Sequence, residues 1–136
     1  MNQHTYLRAY LAGIAVPTFL LLGVMAGYTL LRYVYNFPVP VERIIVFPMA
    51  VVPNLWGLWN ILFFASRSRL RLSLGLHGAL LPFLLAPLGL FAARLLNIPI
   101  PVFAAQALPA APVALIVYYL AWKYLVGSLN RILELA

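Results

Sequence analysis

The segment Pro53-Asn54-Leu55-Trp56-Gly57-Leu58-Trp59-Asn60 holds the densest group of recognition-capable side chains in this chain. On a helix, Trp56 and Asn60 stand four residues apart and share a face with Gly57. That face combines an aromatic surface, an amide that both donates and accepts, and a gap left by a missing side chain. With Asn54 and Trp59 it makes a candidate ligand site or helix seam, and Gln106 or a carbonyl freed by proline is the expected partner for an amide. Asn54 and Asn60 lie about 240° apart around a regular helix, so one face holds both only if a kink at Pro53 or two different neighbours intervene. The plain alternative is that both amides are interhelical glue, worth about 1 kcal/mol or less each.

His77 sits in Gly75-Leu76-His77-Gly78, where flanking glycines would let a flat macrocycle approach the imidazole, so axial ligation of a haem or chlorophyll is one reading. A hydrogen bond to a neighbouring helix is the other. A two-histidine haem site within the chain is excluded, because the second histidine, His4, precedes the first apolar run. With no cysteine, thiolate metal sites, disulfides and thiol nucleophiles are excluded as well. The two carboxylates, Glu42 and Glu134, fall at the edges of the apolar runs, which argues against a carboxylate proton relay or a two-carboxylate hydrolase. No catalytic residue and no metal site can be assembled, so an enzyme is the weakest class, and the residues do not specify a cofactor.

These groups must be positioned by membrane helices. Of 136 residues 65% are hydrophobic and 8% charged, with a mean hydropathy of +1.00, where a soluble domain has about a quarter charged. A hydrocarbon core about 30 Å thick needs about 20 apolar residues at 1.5 Å each. Ala9 to Leu31, Ile44 to Ala65, Leu74 to Ala93 and Val102 to Trp122 meet that length, each bracketed by basic residues. The predicted fold is an all-α integral membrane protein of four transmembrane helices in one domain, residues 1–136. The opening Met1-Asn2-Gln3-His4-Thr5 has no basic n-region or cleavage site, so the first run is expected to remain as a helix.

Charge sets the direction. Arg8, Arg67, Arg69, Arg71, Lys123 and Arg131 share one side, against Arg32, Arg43 and Arg94 on the other, which places both termini on the cytoplasmic side. Trp122, Tyr6, Tyr10, Tyr33, Tyr35 and Tyr124 are expected at the membrane interfaces. The net charge of +7 therefore has a membrane explanation, and nucleic acid is not an expected partner. The expected location is the bacterial inner (plasma) membrane.

A repeat runs through the sequence. Asn36-Phe37-Pro38-Val39-Pro40-Val41 returns as Asn97-Ile98-Pro99-Ile100-Pro101-Val102, and Pro48, Ala50 and Val52 return as Pro109, Ala111 and Val113. Residues 8–66 and 69–127 are accordingly read as duplicated helical hairpins, parallel repeats about an axis along the membrane normal. The second copy has neither Asn nor Trp where the first has its Asn-Trp segment, so the halves diverge where specificity would lie. Prolines within the runs predict kinks, gathered so that the outer half could splay. Gly23-Val24-Met25-Ala26-Gly27 has the small-x-x-x-small spacing of a close helix seam.

Arg67, Arg69 and Arg71 alternate with Leu or Ser, a pattern suited to anionic lipid headgroups and equally to a positive-inside anchor. The expected function is a non-catalytic small membrane subunit that packs lipid or a hydrophobic cofactor, within a homo-oligomer or with other membrane subunits. The reading from another class is a small transporter or channel with its polar path through Gln106, Asn54, Asn60 and His77. A transporter would aim those groups into one shared cavity, whereas a structural subunit would satisfy them separately across helix seams.

Overall fold

An apolar run in hydrocarbon has no water to bond, so its backbone closes hydrogen bonds within the segment, as a helix does. A computed structural model describes the backbone of residues 4–36, 41–97 and 101–135, with side chains except at 41–50 and 101–108. It is all-helical, with no strand among the described residues. Four passes are formed: α1 (His4–Tyr33); α2 (Val41–Ser66); α3 (Leu74–Ala79) followed by α4 (Leu81–Leu95); and α5 (Pro101–Leu120), a π-helical segment (Ala121–Val126) and α6 (Gly127–Ile132). His4–Tyr33, Leu74–Leu95 and Pro109–Ile132 are long and apolar enough to cross a membrane, and the described part of the second pass, Val51–Ser66, is a shorter apolar helix.

Local chemistry explains the breaks. Ser73 caps α3, its hydroxyl accepting from the Leu76 amide at 3.3 Å, which satisfies one of the orphan donors of a helix start. The third pass breaks at Leu80 because Pro82, in the first turn of α4, has no N–H to offer the carbonyl four residues earlier. Pro17, Pro87, Pro109 and Pro112 are carried inside helices. Asn36 and Asn97, just past the ends of α1 and α4, take φ of 52° and 53°, the left-handed position that Asn tolerates better than most residues at a helix exit. The Pro38 and Pro99 loops beyond them lie outside the described residues.

Among the described residues the packed core lies in one half of the bundle, the half where α1 begins and α6 ends. Every buried described residue lies between 9 and 17, 56 and 64, 75 and 81, or 122 and 130. There α1 and α2 approach closely: a Cβ on Gly13 would lie 2.5 Å from the Trp56 carbonyl oxygen and 2.7 Å from Gly57 Cα. In the other half, the described side chains of α1, α4 and α5 are exposed or half-buried, Phe19, Phe83 and Phe91 among them. Gly23 and Gly27 have nothing within 4 Å of a built Cβ among the described residues. The small-residue spacing of the C-terminal half of α1 is thus not a seam with a described residue of this chain.

The tail from Lys123 onward is expected either to continue as a helix or to turn at Gly127-Ser128, and it continues: the helix runs through Gly127 to Ile132. Trp122, expected at an interface, is fully buried. The Lys123 ammonium lies over the Tyr119 and Tyr124 rings at 5.6 and 5.3 Å, where a flexible stem can carry it along the apolar surface. Residues four apart drift about 40° per step around an α-helix. The wider i→i+5 turn at Ala121–Val126 reduces that drift, and Trp122, Val126 and Asn130 are all buried.

Candidate functional site

The polar groups of the packed half form separate ties between passes. The deepest joins three of them: Asn60 Nδ2 of α2 donates to the Ala9 carbonyl of α1 at 2.7 Å and to Asn130 Oδ1 of α6 at 2.9 Å. Asn130 Nδ2 donates back to Asn60 Oδ1 at 3.3 Å. Both amides are out of solvent, at 0% and 1% exposure, so the reciprocal pair satisfies groups that would otherwise be costly to bury.

One residue before Asn60, Trp59 points to the third pass. Its indole N–H donates to the His77 carbonyl at 2.8 Å, and His77 Nε2 bonds the Trp59 carbonyl at 2.9 Å. A carbonyl only accepts, so Nε2 carries the proton. The two rings stack at 4.9 Å and 26°. The Trp59 bond lands on a carbonyl at the break before Pro82, where helical pairing is irregular. His77 is thereby engaged in a helix-to-helix tie. The glycines beside it make room for rings of the same chain: a Cβ on Gly78 would overlap Trp122, and one on Gly75 would lie 2.7 Å from the Tyr119 ring.

Trp56 packs against Tyr118 and Trp122, both with ring centroids at 5.3 Å. The Tyr118 hydroxyl neighbours the Trp56 indole without the geometry of a hydrogen bond. The indole N–H groups of Trp56 and Trp122 therefore have no hydrogen-bond partner among the described residues. Gly57 faces α1, where an added Cβ would lie 2.5 Å from the Tyr10 ring.

Asn54 stands apart from this set. It is exposed on α2, and its Oδ1 accepts from the Tyr10 hydroxyl of α1. Both asparagines thus reach α1, Asn54 at Tyr10 and Asn60 at Ala9, and Asn60 alone also reaches α6. Thr18 and Thr29 donate to carbonyls of their own helix, Ile14 at 2.5 Å and Met25 at 2.8 Å, which leaves neither in need of a partner. The Gln106 side chain lies outside the described residues.

At the end where the termini meet, Arg67, Arg69 and Arg71 are exposed. Arg67 borders a cleft of about 550 Å³ with Thr5, Phe64, Ser68, Glu134 and Leu135. Glu134 pairs with Arg8 at 3.9 Å, both side chains being largely in the open.

Of the residues singled out by sequence, the structure brings Trp56, Trp59, Asn60 and His77 into one packed region and leaves Asn54 on its flank. Sequence reasoning missed Asn130, Tyr10 and the interior position of Trp122. The four-residue spacing Trp122, Val126, Asn130 was the available signal. Comparisons with protein-family models, curated proteins and solved structures find no match to this chain.

Proposed function

We propose that this chain is an integral membrane protein of the bacterial inner membrane, with both termini cytoplasmic, serving as a non-catalytic subunit that packs lipid or a hydrophobic cofactor in a homo-oligomer or larger membrane complex. One observation carries the reading. Asn54, Asn60 and His77 are each satisfied by a neighbouring helix, Asn54 by Tyr10 of α1, Asn60 by Ala9 of α1 and Asn130 of α6, and His77 by Trp59 of α2. Groups spent on ties between helices hold a scaffold rigid and are not available to line a solute path.

The outer half supports assembly. Its described side chains leave apolar faces uncovered by other described residues, including the open Gly23 and Gly27 positions, which lipid or another helix would fill. The exposed Arg69 and Arg71 suit anionic headgroups on the cytoplasmic side. In this reading the two hairpins, 8–66 and 69–127, are duplicated; the matching left-handed Asn36 and Asn97 accord with it.

Flux measurement tests the proposal against the transporter alternative. Reconstituted alone in vesicles, the chain should pass ions and small polar solutes no faster than protein-free vesicles leak. A saturable flux abolished by Asn60→Leu would overturn the reading.

A further inference from the structure

The cleft at the termini end carries both signs of charge over an apolar floor. Arg67 lines it and has no ion pair among the described residues. Glu134 lines the same cleft, together with the hydroxyl-bearing Thr5 and Ser68 and the apolar Phe64 and Leu135. Its volume of about 550 Å³ falls within the about 300–1,000 Å³ typical of small-ligand sites.

Glu134 holds this position against its backbone preference. It occupies φ of 58°, and the Leu135 amide donates to the Asn130 carbonyl at 2.8 Å while the Glu134 amide donates to Arg131 at 3.0 Å. This is the Schellman ending of a helix, whose left-handed residue is usually glycine. A glutamate there is strained by its Cβ, and strain of this kind concentrates where a side chain has work to do. Its link to Arg8, at 3.9 Å with the carboxylate 85% exposed, is too loose to saturate it.

We propose that this cleft is the headgroup site of a zwitterionic amine phospholipid, with the phosphate on Arg67, Thr5 and Ser68, the primary ammonium on Glu134, and the glycerol end against Phe64 and Leu135. Charge complementarity selects this occupant. A purely anionic headgroup would meet the Glu134 carboxylate with only the 3.9 Å pair to Arg8 offsetting its charge, and a quaternary ammonium has no N–H to donate. The proposal rests on the membrane placement above but not on assembly, because binding is counted per chain.

The test titrates the delipidated full chain in detergent with dioleoyl phosphatidylethanolamine, phosphatidylglycerol and phosphatidylcholine, reading bound lipid per chain by native mass spectrometry. Phosphatidylethanolamine should be favoured over each of the others by about fivefold, the scale of one exposed ion pair. Glu134→Gln should erase that preference while phosphatidylglycerol binding persists, and Arg67→Gln should weaken both. Glu134→Gly separates fold from binding, since it relieves the left-handed strain: its thermal midpoint should not fall, yet its lipid preference should vanish. Equal or better binding of phosphatidylglycerol by the unaltered chain, or an unchanged preference in Glu134→Gly, would overturn the site. Loss of oligomers with the preference intact would count against the subunit reading alone.

Discussion

Replacing Asn60 by Leu removes the centre of the three-helix tie, and the structure sets the size of the loss. Two donated bonds disappear, to Ala9 at 2.7 Å and to Asn130 at 2.9 Å, and the Asn130 amide is left buried with its partner gone. Interhelical side-chain bonds in membrane proteins average about 0.6 kcal/mol and reach about 1.7, while a stranded buried polar group costs about 1–3 kcal/mol. Asn60→Leu should therefore destabilise by about 2–4 kcal/mol. Asn130→Leu should cost less, about 1–2 kcal/mol, since Asn60 keeps its bond to Ala9. The double variant strands no amide, so its cost should fall short of the sum by about 1–2 kcal/mol. Unfolding in mixed micelles, followed by tryptophan fluorescence, measures all three, because Trp56 and Trp122 report from the same core. Additive costs, or a single-variant cost below about 0.5 kcal/mol, would refute the tie.

Two glycine positions make an internal contrast: Gly13→Ala should destabilise by about 1–3 kcal/mol because its Cβ would meet α2 backbone, whereas Gly23→Ala should leave single-chain unfolding unchanged and weaken assembly, read by energy transfer between labelled copies. Trp59→Phe keeps the ring stacked on His77 but deletes the bond to its carbonyl; a loss of about 0.5–1.5 kcal/mol in the same unfolding assay is expected. For orientation, cysteines replacing Thr5, Val39, Ser68 and Ile100 in intact cells should react with an impermeant thiol reagent only at Val39 and Ile100. Labelling at Ser68 but not Val39 would reverse the topology.

Helix number and placement were legible because a helix in lipid needs an unbroken apolar run, and the charges mark where the runs begin and end. Trp122 is the instructive failure. Beside the charge of Lys123 it reads as an interface residue, yet it is fully buried against Trp56, while Lys123 rests over Tyr119 and Tyr124. Trp59, Asn60 and His77 could be named in advance because a polar or ring N–H group in hydrocarbon needs a partner. Their partners could not be named, because the acceptors at Ala9, His77 and Trp59 are backbone carbonyls, which every residue carries. Asn130 was hidden for another reason: its inward direction is accompanied by a π-helical turn, which a period of 3.6 residues does not anticipate.

Assembly in the membrane is the central claim of the proposed function, and native mass spectrometry of the gently solubilised, unmodified chain, with an absorption spectrum of the same sample, reads it directly. The account predicts a particle heavier than one chain of 15.1 kDa, made of further copies or of other membrane subunits and retaining phospholipid or a hydrophobic cofactor. A lone chain, free of partners and of bound lipid or pigment under conditions that keep its tryptophan core folded, would contradict it.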